Sequence, residues 1–304
     1  MSILNRAHPR RALAAYRDAT IERKDAVLGV LLILPSLLLI SVVILYPLLY
    51  NIYLSFQSVP LQGSPTWVGL ENYSWLLNND EFWASLQRTV GFAVVSSVLA
   101  AGGGLLATLL LRRQFPGRRF VRGLTLLPFV IPIVAIAFSW RWMFNPIYGV
   151  VPHWLGILGF AELSQQSLLS ESGTALWTLS LYEGWRYFPF AFLLIFARAQ
   201  AIPGDVYEAA RIDGASRFAQ FKDITLPELK FIIATVLLLR IVWGFNTFAE
   251  VWLVTQEFEV LSVFTYETAF TTFQLGHGAA ISVILFAILV IFVVTYVTTL
   301  MREE

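Results

Sequence analysis

No cysteine occurs among the 304 residues, so disulfide staples and thiolate metal sites are excluded. Histidine is scarce: His8, His153 and His277 lie far apart and have no metal-ligand spacing. Charge is scarce as well. Only 13% of residues are charged, about half the usual share of a water-exposed globular chain, roughly 25%. The formal net charge of +1 gives no electrostatic ground for nucleic-acid binding. No G-x-x-x-x-G-K-[ST] stretch is present, so the chain does not cradle ATP phosphates by itself. Gly102-Gly103-Gly104 lies in an apolar helix with no strand before it, and reads as a close-packing face between helices rather than a phosphate loop. No nucleophile–base arrangement stands out, and no carboxylate pair has catalytic spacing outside the apolar segments. A membrane-embedded hydrolase is the enzyme alternative.

What is abundant is apolar: 57% of residues are hydrophobic and 15% aromatic, the balance of a lipid-embedded chain. Six segments meet the requirement of roughly 20 mainly apolar residues for a membrane helix. They run over 26–49, about 86–111, 123–144, 174–197, 231–254 and 278–300. A basic polar stretch, 1–25, precedes the first. That first run is too long for a signal-peptide core and lacks a clear small-residue cleavage site, so it reads as a retained helix. Lys and Arg gather in 1–25, in Arg112-Arg113 through Arg122, and in the connection from Arg198 to Lys230, with Arg302 in the tail. The connections 50–85, 145–173 and 255–277 contain neither residue. Because basic residues accumulate in cytoplasmic loops, both termini are expected in the cytoplasm. The expected fold is all-α: a cytoplasmic segment 1–25, one transmembrane domain 26–300 and a cytoplasmic tail 301–304.

Two places carry polar chemistry. The first is the cytoplasmic connection after the fourth segment, 203–230. Pro203 suits the first turn of a helix, 205–212 makes two turns, and Asp213-Gly214 breaks it. A second short helix is expected over 216–222, and Pro227 opens the fifth segment. Val206, Tyr207, Ala210, Phe218 and Phe221 form an apolar set that could dock into a groove on a partner. The second place is mid-membrane. Glu183 and Arg186 lie near the centre of the fourth segment and Arg240 near the centre of the fifth. Each such charge costs about 2.5–3.5 kcal/mol on insertion scales. Glu183 and Arg186 are three apart and share a helix face. Trp185, Tyr187, Trp243 and Asn246 add aromatic and amide groups at similar depth. Two readings stand side by side: an internal ion pair that locks two helices, in which loss of Glu183 strands Arg186, or a polar, aromatic cavity for a hydrophilic solute.

Glu208-Ala209-Ala210, Gly214, and Ile224 with Leu226-Pro227 resemble, in type and spacing, the EAA loop of ABC importer permeases. The stretches LYPLLYNIYLSF, WVGLENYSWLLNNDEFW, FNPIYGVV and EGWRYFPFAFLLIFARAQAIP resemble permeases of the maltose and glycerol-phosphate type, over about 27–300. One departure is the turn after the fifth segment, where the family often has Gly-Gly-Pro and this chain has Val254-Thr255-Gln256-Glu257-Phe258-Glu259. The resemblance implies the type I importer fold and no cofactor. It also implies coupling to an ATPase through Glu208, Ala209, Ala210, Asp213, Gly214, Ile224 and Pro227. The expected partners are a second, similar permease, two ATPase subunits, an extracytoplasmic solute-binding protein and membrane lipid, in the cell membrane. The expected cargo is a sugar or sugar-like solute. Aligned on the Ile-Pro pair before the loop, solute contacts fall on Glu183, Arg186, Tyr187 and Phe190. Aligned on Phe245 to Phe248, they fall on Arg240, Trp243 and Gly244, with Asn246 beside them. The arginines leave an anionic solute, such as a sugar phosphate, as the alternative cargo. A secondary transporter, with coupling-ion residues in broken helices, is the other competitor.

Overall fold

The computed structural model describes residues 28–170, 173–255 and 257–300. The expected cytoplasmic segment 1–25, the tail 301–304 and Gln256 of the departing turn lie outside the described residues. The chain forms two units, Met1–Leu54 and Ser55–Glu304. In the first, α1 (Leu28–Leu54) is apolar all round, with a π-helical turn over Ser41–Leu45. Tyr46 and Tyr50 stack one turn apart near its end, ring centroids 6.2 Å apart. At 27 residues it is about 40 Å long, more than enough to cross the roughly 30 Å hydrocarbon core of a bilayer.

The second unit begins with a short antiparallel pair, β1 (Gln57–Ser58) and β2 (Thr66–Trp67), followed by α2 (Glu71–Leu77). The buried Asn72 ties them together: its Nδ2 donates to the carbonyls of Ser55 (2.8 Å) and Gln57 (2.9 Å). The long helix α3 (Asp80–Leu111) starts where the Asn79 side chain accepts from the backbone N–H groups of Glu81 and Phe82. Asp80 and Glu81 in its first turn face the positive end of the helix dipole. At 32 residues it is about 48 Å long, longer than the bilayer core.

One face of α3 is small and hydroxylated, with Ser96, Ser97, Ala100, Ala101 and Gly104 all buried. Its hydroxyls satisfy themselves inside the helix: Thr89, Ser97 and Thr108 donate to the carbonyl four residues back, the usual solution where no water is at hand. Against this face packs α9 (Thr174–Ala201). The approach is close enough that a Cβ on Gly104 would meet the Ala191 Cβ at 2.6 Å, and one on Gly184 would meet the Leu99 Cβ at 2.6 Å. Gly103 is closed off by Phe188, while Gly102 faces open space. The glycine run therefore serves close helix packing, as its sequence suggests, at two of its three positions.

The third apolar segment is not the single helix expected over 123–144. It divides into α4 (Arg118–Thr125), α5 (Leu127–Val130) and α6 (Ile133–Met143), bent by 89° at the break. Pro132 is the cause: it lacks an N–H and forces Ile131 before it into extended backbone, φ −63° and ψ 137°. Outside the apolar layer, α7 (Val150–Ile157) and α8 (Ala161–Gln165) pack on each other. After α9 come α10 (Gly204–Ile212) and α11 (Arg217–Gln220), then a π-helical turn over Phe221–Thr225.

The fifth segment also departs from expectation. Helix α12 (Leu226–Phe245) stops short, and α13 (Ala249–Val254) is separate. Side chains terminate α12: Asn246 Nδ2 donates to the Val242 carbonyl and Thr247 Oγ1 to that of Trp243, both at 3.0 Å, satisfying carbonyls that a continuing helix would have used. Helix α14 (Leu261–Tyr266), a π turn over Glu267–Thr271 and α15 (Leu275–Leu300) complete the unit. The Trp75 ring stacks on His277, centroids 4.0 Å apart. Three helices, α1, α3 and α15, are individually long and apolar enough to cross a membrane, and two bent pairs extend the number to five. Helix α12, in the fifth segment, is more polar, with Glu228, Lys230 and Arg240; its 20 residues reach about 30 Å, one bilayer core.

Candidate functional site

The mid-membrane charges meet across two helices. Arg240 Nη2 of α12 donates to Glu183 Oε1 of α9 at 3.1 Å. Both side chains are sealed inside the helix packing, 0% and 1% exposed. The guanidinium also lies over the Tyr187 ring, 3.9 Å from its centroid, a favourable cation–π placement for a buried cation. Glu183 Oε2 and Arg240 Nε and Nη1 find no partner in the described structure.

The expectation that Glu183 is linked to Arg186 is corrected. Although they share a helix, Arg186 points to another neighbour: its Nη1 reaches the Ile131 carbonyl at 3.5 Å. That oxygen lies at the break between α5 and α6. Arg186 therefore carries a guanidinium with no carboxylate partner among the described residues.

Next to the buried pair lies a layer of rings. Phe190 and Trp243 have centroids 4.8 Å apart, Tyr187 and Trp243 6.2 Å, and Phe129 of α5 joins at 5.8 Å from Tyr187 and 6.3 Å from Phe190. Trp243 is 39% exposed, and Arg186, Tyr187 and Phe190 are half-buried. Tyr187 Oη donates to Glu250 Oε1 of α13 at 3.3 Å. The structure thus brings together Glu183, Arg186, Tyr187, Phe190, Arg240 and Trp243. It sets two expected residues apart. Gly244 is buried against α3, where an added Cβ would meet the Ala93 Cα at 2.9 Å, so it serves helix packing. Asn246 is exposed, with its amide spent on the end of α12. Phe129 and Glu250 were not legible as members: each becomes a neighbour only through the helix breaks at Pro132 and Asn246.

The connection 203–230 has the expected turn. Gly214 has φ +82°. Its N–H donates to the Arg211 carbonyl and that of Ala215 to the Ala210 carbonyl, the paired bonds that close a helix on a left-handed residue. Ser216 then caps α11 by accepting from the Ala219 N–H. Glu208 and Ala209 are exposed, as are Asp213 and Pro227, and Ala210 and Ile224 are half-buried. Of the apolar residues expected to face a partner, Phe218 is 73% and Val206 42% exposed, and Ile212, not singled out beforehand, is 86% exposed. Tyr207 turns inward instead. Its hydroxyl bonds Thr225 Oγ1 at 2.9 Å and accepts from Arg112 Nη1 at 2.9 Å. Arg198 and Glu228 pair at 2.6 Å, joining α9 to α12 at the base of the loop.

At the other end of α3 three carboxylates lie close together: Glu81 in its first turn, Glu259 just before α14 and Glu267 in the π turn after α14. Burial, and then the neighbouring Glu267 and Glu81, push Glu259 up to about 8. Arg88 Nη1 donates to Glu81 Oε1 at 2.8 Å and reaches the Glu259 carbonyl at 3.5 Å.

Comparison with known proteins agrees with the helix arrangement. The chain is 38% identical over 271 residues to the inner membrane ABC transporter permease protein YcjO of Escherichia coli, covering 88% of this chain and 92% of that one. It is 35% identical over 278 residues to the trehalose/maltose transport system permease protein MalF of Thermococcus litoralis, 90% and 93% covered. It is 31% identical over 275 residues to the sulfoquinovosyl glycerol transport system permease protein SmoG of Agrobacterium fabrum, 87% of each chain covered. Among solved structures, a chain of a bacterial ABC transporter that imports the acidic polysaccharide alginate superposes with a TM-score of 0.77 at 19% identity, over 94% of this chain and 99% of that one, which shows a shared fold. The profile of the binding-protein-dependent transport system inner membrane components matches residues 100–303, and the chain belongs to that family of ABC transporter permeases.

Proposed function

We propose that the chain is one of two permease subunits of an ATP-driven importer and carries a sugar or sugar-like solute delivered by an extracytoplasmic binding protein. The transmembrane domain 26–300 pairs with a second permease, both termini lie in the cytoplasm, and two ATPase subunits dock on the loop 203–230. ATP binding closes the ATPases. The loop, in which Tyr207 bonds Thr225 of the π-helical turn leading into α12 and Arg112 just past α3, and which is flanked by the Arg198–Glu228 pair, passes that motion to the helices.

The half-exposed ring layer of Tyr187, Phe190 and Trp243 carries the solute reading. It offers flat apolar faces beside hydrogen-bonding groups, the combination that holds a small polar ligand. Glu183 and Arg240, sealed inside the helix pair, act on the solute only by holding α9 against α12. The family relatives named for trehalose/maltose and for sulfoquinovosyl glycerol support the carbohydrate class.

A second reading, an anionic sugar, is favoured by one observation. Arg186 borders the ring layer and has no carboxylate partner among the described residues. Uptake into proteoliposomes containing the complete transporter tests both. Trp243→Ala lowers uptake of every solute while leaving basal ATP hydrolysis in place. Arg186→Ala lowers uptake of a charged solute and spares a neutral one. Normal uptake by the Trp243 variant means the ring layer is not the path.

A further inference from the structure

A cleft of about 740 Å³ opens on the cytoplasmic side, between the end of α3 and the loop 203–225. Four guanidinium groups line it: Arg112 and Arg113, just past the end of α3, Arg211 near the end of α10, and Arg217 at the start of α11. No carboxylate lines it. Arg113 and Arg217 are exposed and have no ion-pair or hydrogen-bond partner for their side chains among the described residues. Arg211 Nε donates to the Tyr207 carbonyl one turn back at 3.2 Å, and its Nη2 makes a loose contact with Glu208 at 3.8 Å.

Arg112 is held in place. It donates to the Tyr207 hydroxyl and its guanidinium lies 4.5 Å from the Tyr207 ring centroid. Tyr207 is itself fixed by Thr225. Four like charges gathered around a concave surface repel one another. A cluster of four guanidinium groups, one of them held fixed, with no carboxylate in the lining is what a multivalent anion neutralises.

We infer that this cleft is a binding site for a phosphate-bearing anion, one that bridges the end of α3 and the loop and clamps them together. Leu109, in the last turn of α3, puts the cleft at the edge of the apolar layer, within reach of the headgroup of an anionic phospholipid. A soluble phosphate reaching the cleft from the cytoplasm offers the same chemistry. The consequence for coupling rests on the function proposed above, whereas binding itself does not.

The test uses the complete transporter, delipidated in detergent and titrated with dioleoylphosphatidylglycerol or dioleoylphosphatidylcholine, with bound lipid counted by native mass spectrometry. Wild type retains phosphatidylglycerol in preference to phosphatidylcholine. Arg113→Gln with Arg217→Gln weakens that retention by about 25-fold, at about fivefold per basic residue removed near an anionic headgroup. Arg119→Gln, which removes an exposed charge outside the cleft, changes it little. Arg113→Lys with Arg217→Lys recovers part of it and shows that the glutamine variant is not merely misfolded.

Inorganic pyrophosphate in a thermal-shift titration identifies the soluble source. A shift in wild type that the glutamine variant lacks, with lipid retention equal in both, assigns the cleft to a soluble anion. Absence of both effects, or an equal loss in Arg119→Gln, overturns the site. If the anion binds but uptake is the same with and without it, the clamp is overturned and the proposed transport function stands. If reconstituted transport fails altogether, the binding result stands by itself.

Discussion

Replacing Glu183 by Gln probes the bond between α9 and α12 directly. The carboxylate accepts one bond from Arg240, and neither side chain is reachable by water. The amide keeps the shape and removes the charge, leaving a guanidinium that already has two unpartnered nitrogens, Nε and Nη1. Removing one partner of a buried pair costs about 3–5 kcal/mol, whereas replacing both by apolar residues of similar volume is often neutral or stabilising by about 1–4 kcal/mol. Glu183→Gln should therefore lower the yield of folded protein and its melting temperature in detergent, and Glu183→Leu with Arg240→Met should recover most of the loss. Arg186→Ala should cost far less, because its contact with the Ile131 carbonyl is long and the side chain is half-buried. Melting curves for the three variants decide the matter. If Glu183→Gln melts like wild type, or if Arg186→Ala is as damaging as Glu183→Gln, the pair does not lock the two helices.

Gly104→Val should force α3 and α9 apart and cost about 1–3 kcal/mol or more, visible as a lowered melting temperature, while Gly102→Ala, facing open space, should be silent. Glu259 should make stability depend on pH. Its carboxyl is held up, from 4.5 to about 8, so the folded state favours the protonated form. That contribution is complete below about pH 4.5 and fades as pH rises through about 8. Melting temperature should fall over that interval and the dependence should flatten in Glu259→Gln; Glu81, Glu267 and Arg88 are the charged groups facing it. A chain without native cysteine allows single cysteines to report orientation. One at Gly117 should be shielded from an impermeant reagent in intact cells and one at Gln165 should react, and the opposite pattern reverses the topology.

How far the sequence revealed this arrangement depended on whether the cause was local. The turn at Asp213-Gly214 could be read because two adjacent residues enforce it, one of them free to take a positive φ. The close approach at Gly103 and Gly104 could be read for the same reason, a missing side chain. The spans at 28–54, 80–111 and 275–300 follow from length and apolarity alone. What could not be read is what depends on two distant stretches meeting. Helical spacing paired Glu183 with Arg186, but side-chain direction across the α9–α12 contact pairs it with Arg240. Pro132 was visible, yet the consequence that Ile131 presents a carbonyl to Arg186 needs the third dimension. Glu250 enters the site because Asn246 and Thr247 spend their side chains on ending α12, turning α13 back toward Tyr187.

The central claim is that motion of the partner ATPases reaches the solute path through the loop 203–230. Gly214→Val is the direct test, because a β-branched residue at φ +82° is strained by roughly 1–2 kcal/mol and disrupts the turn between α10 and α11 without touching the ring layer. The measurement is ATP hydrolysis and solute uptake in the same proteoliposomes, for wild type, Gly214→Val and Glu208→Lys. The account predicts that both variants insert and assemble, hydrolyse ATP at the basal rate, and lose both its stimulation by loaded binding protein and uptake. Wild-type stimulation and uptake in both variants would contradict it.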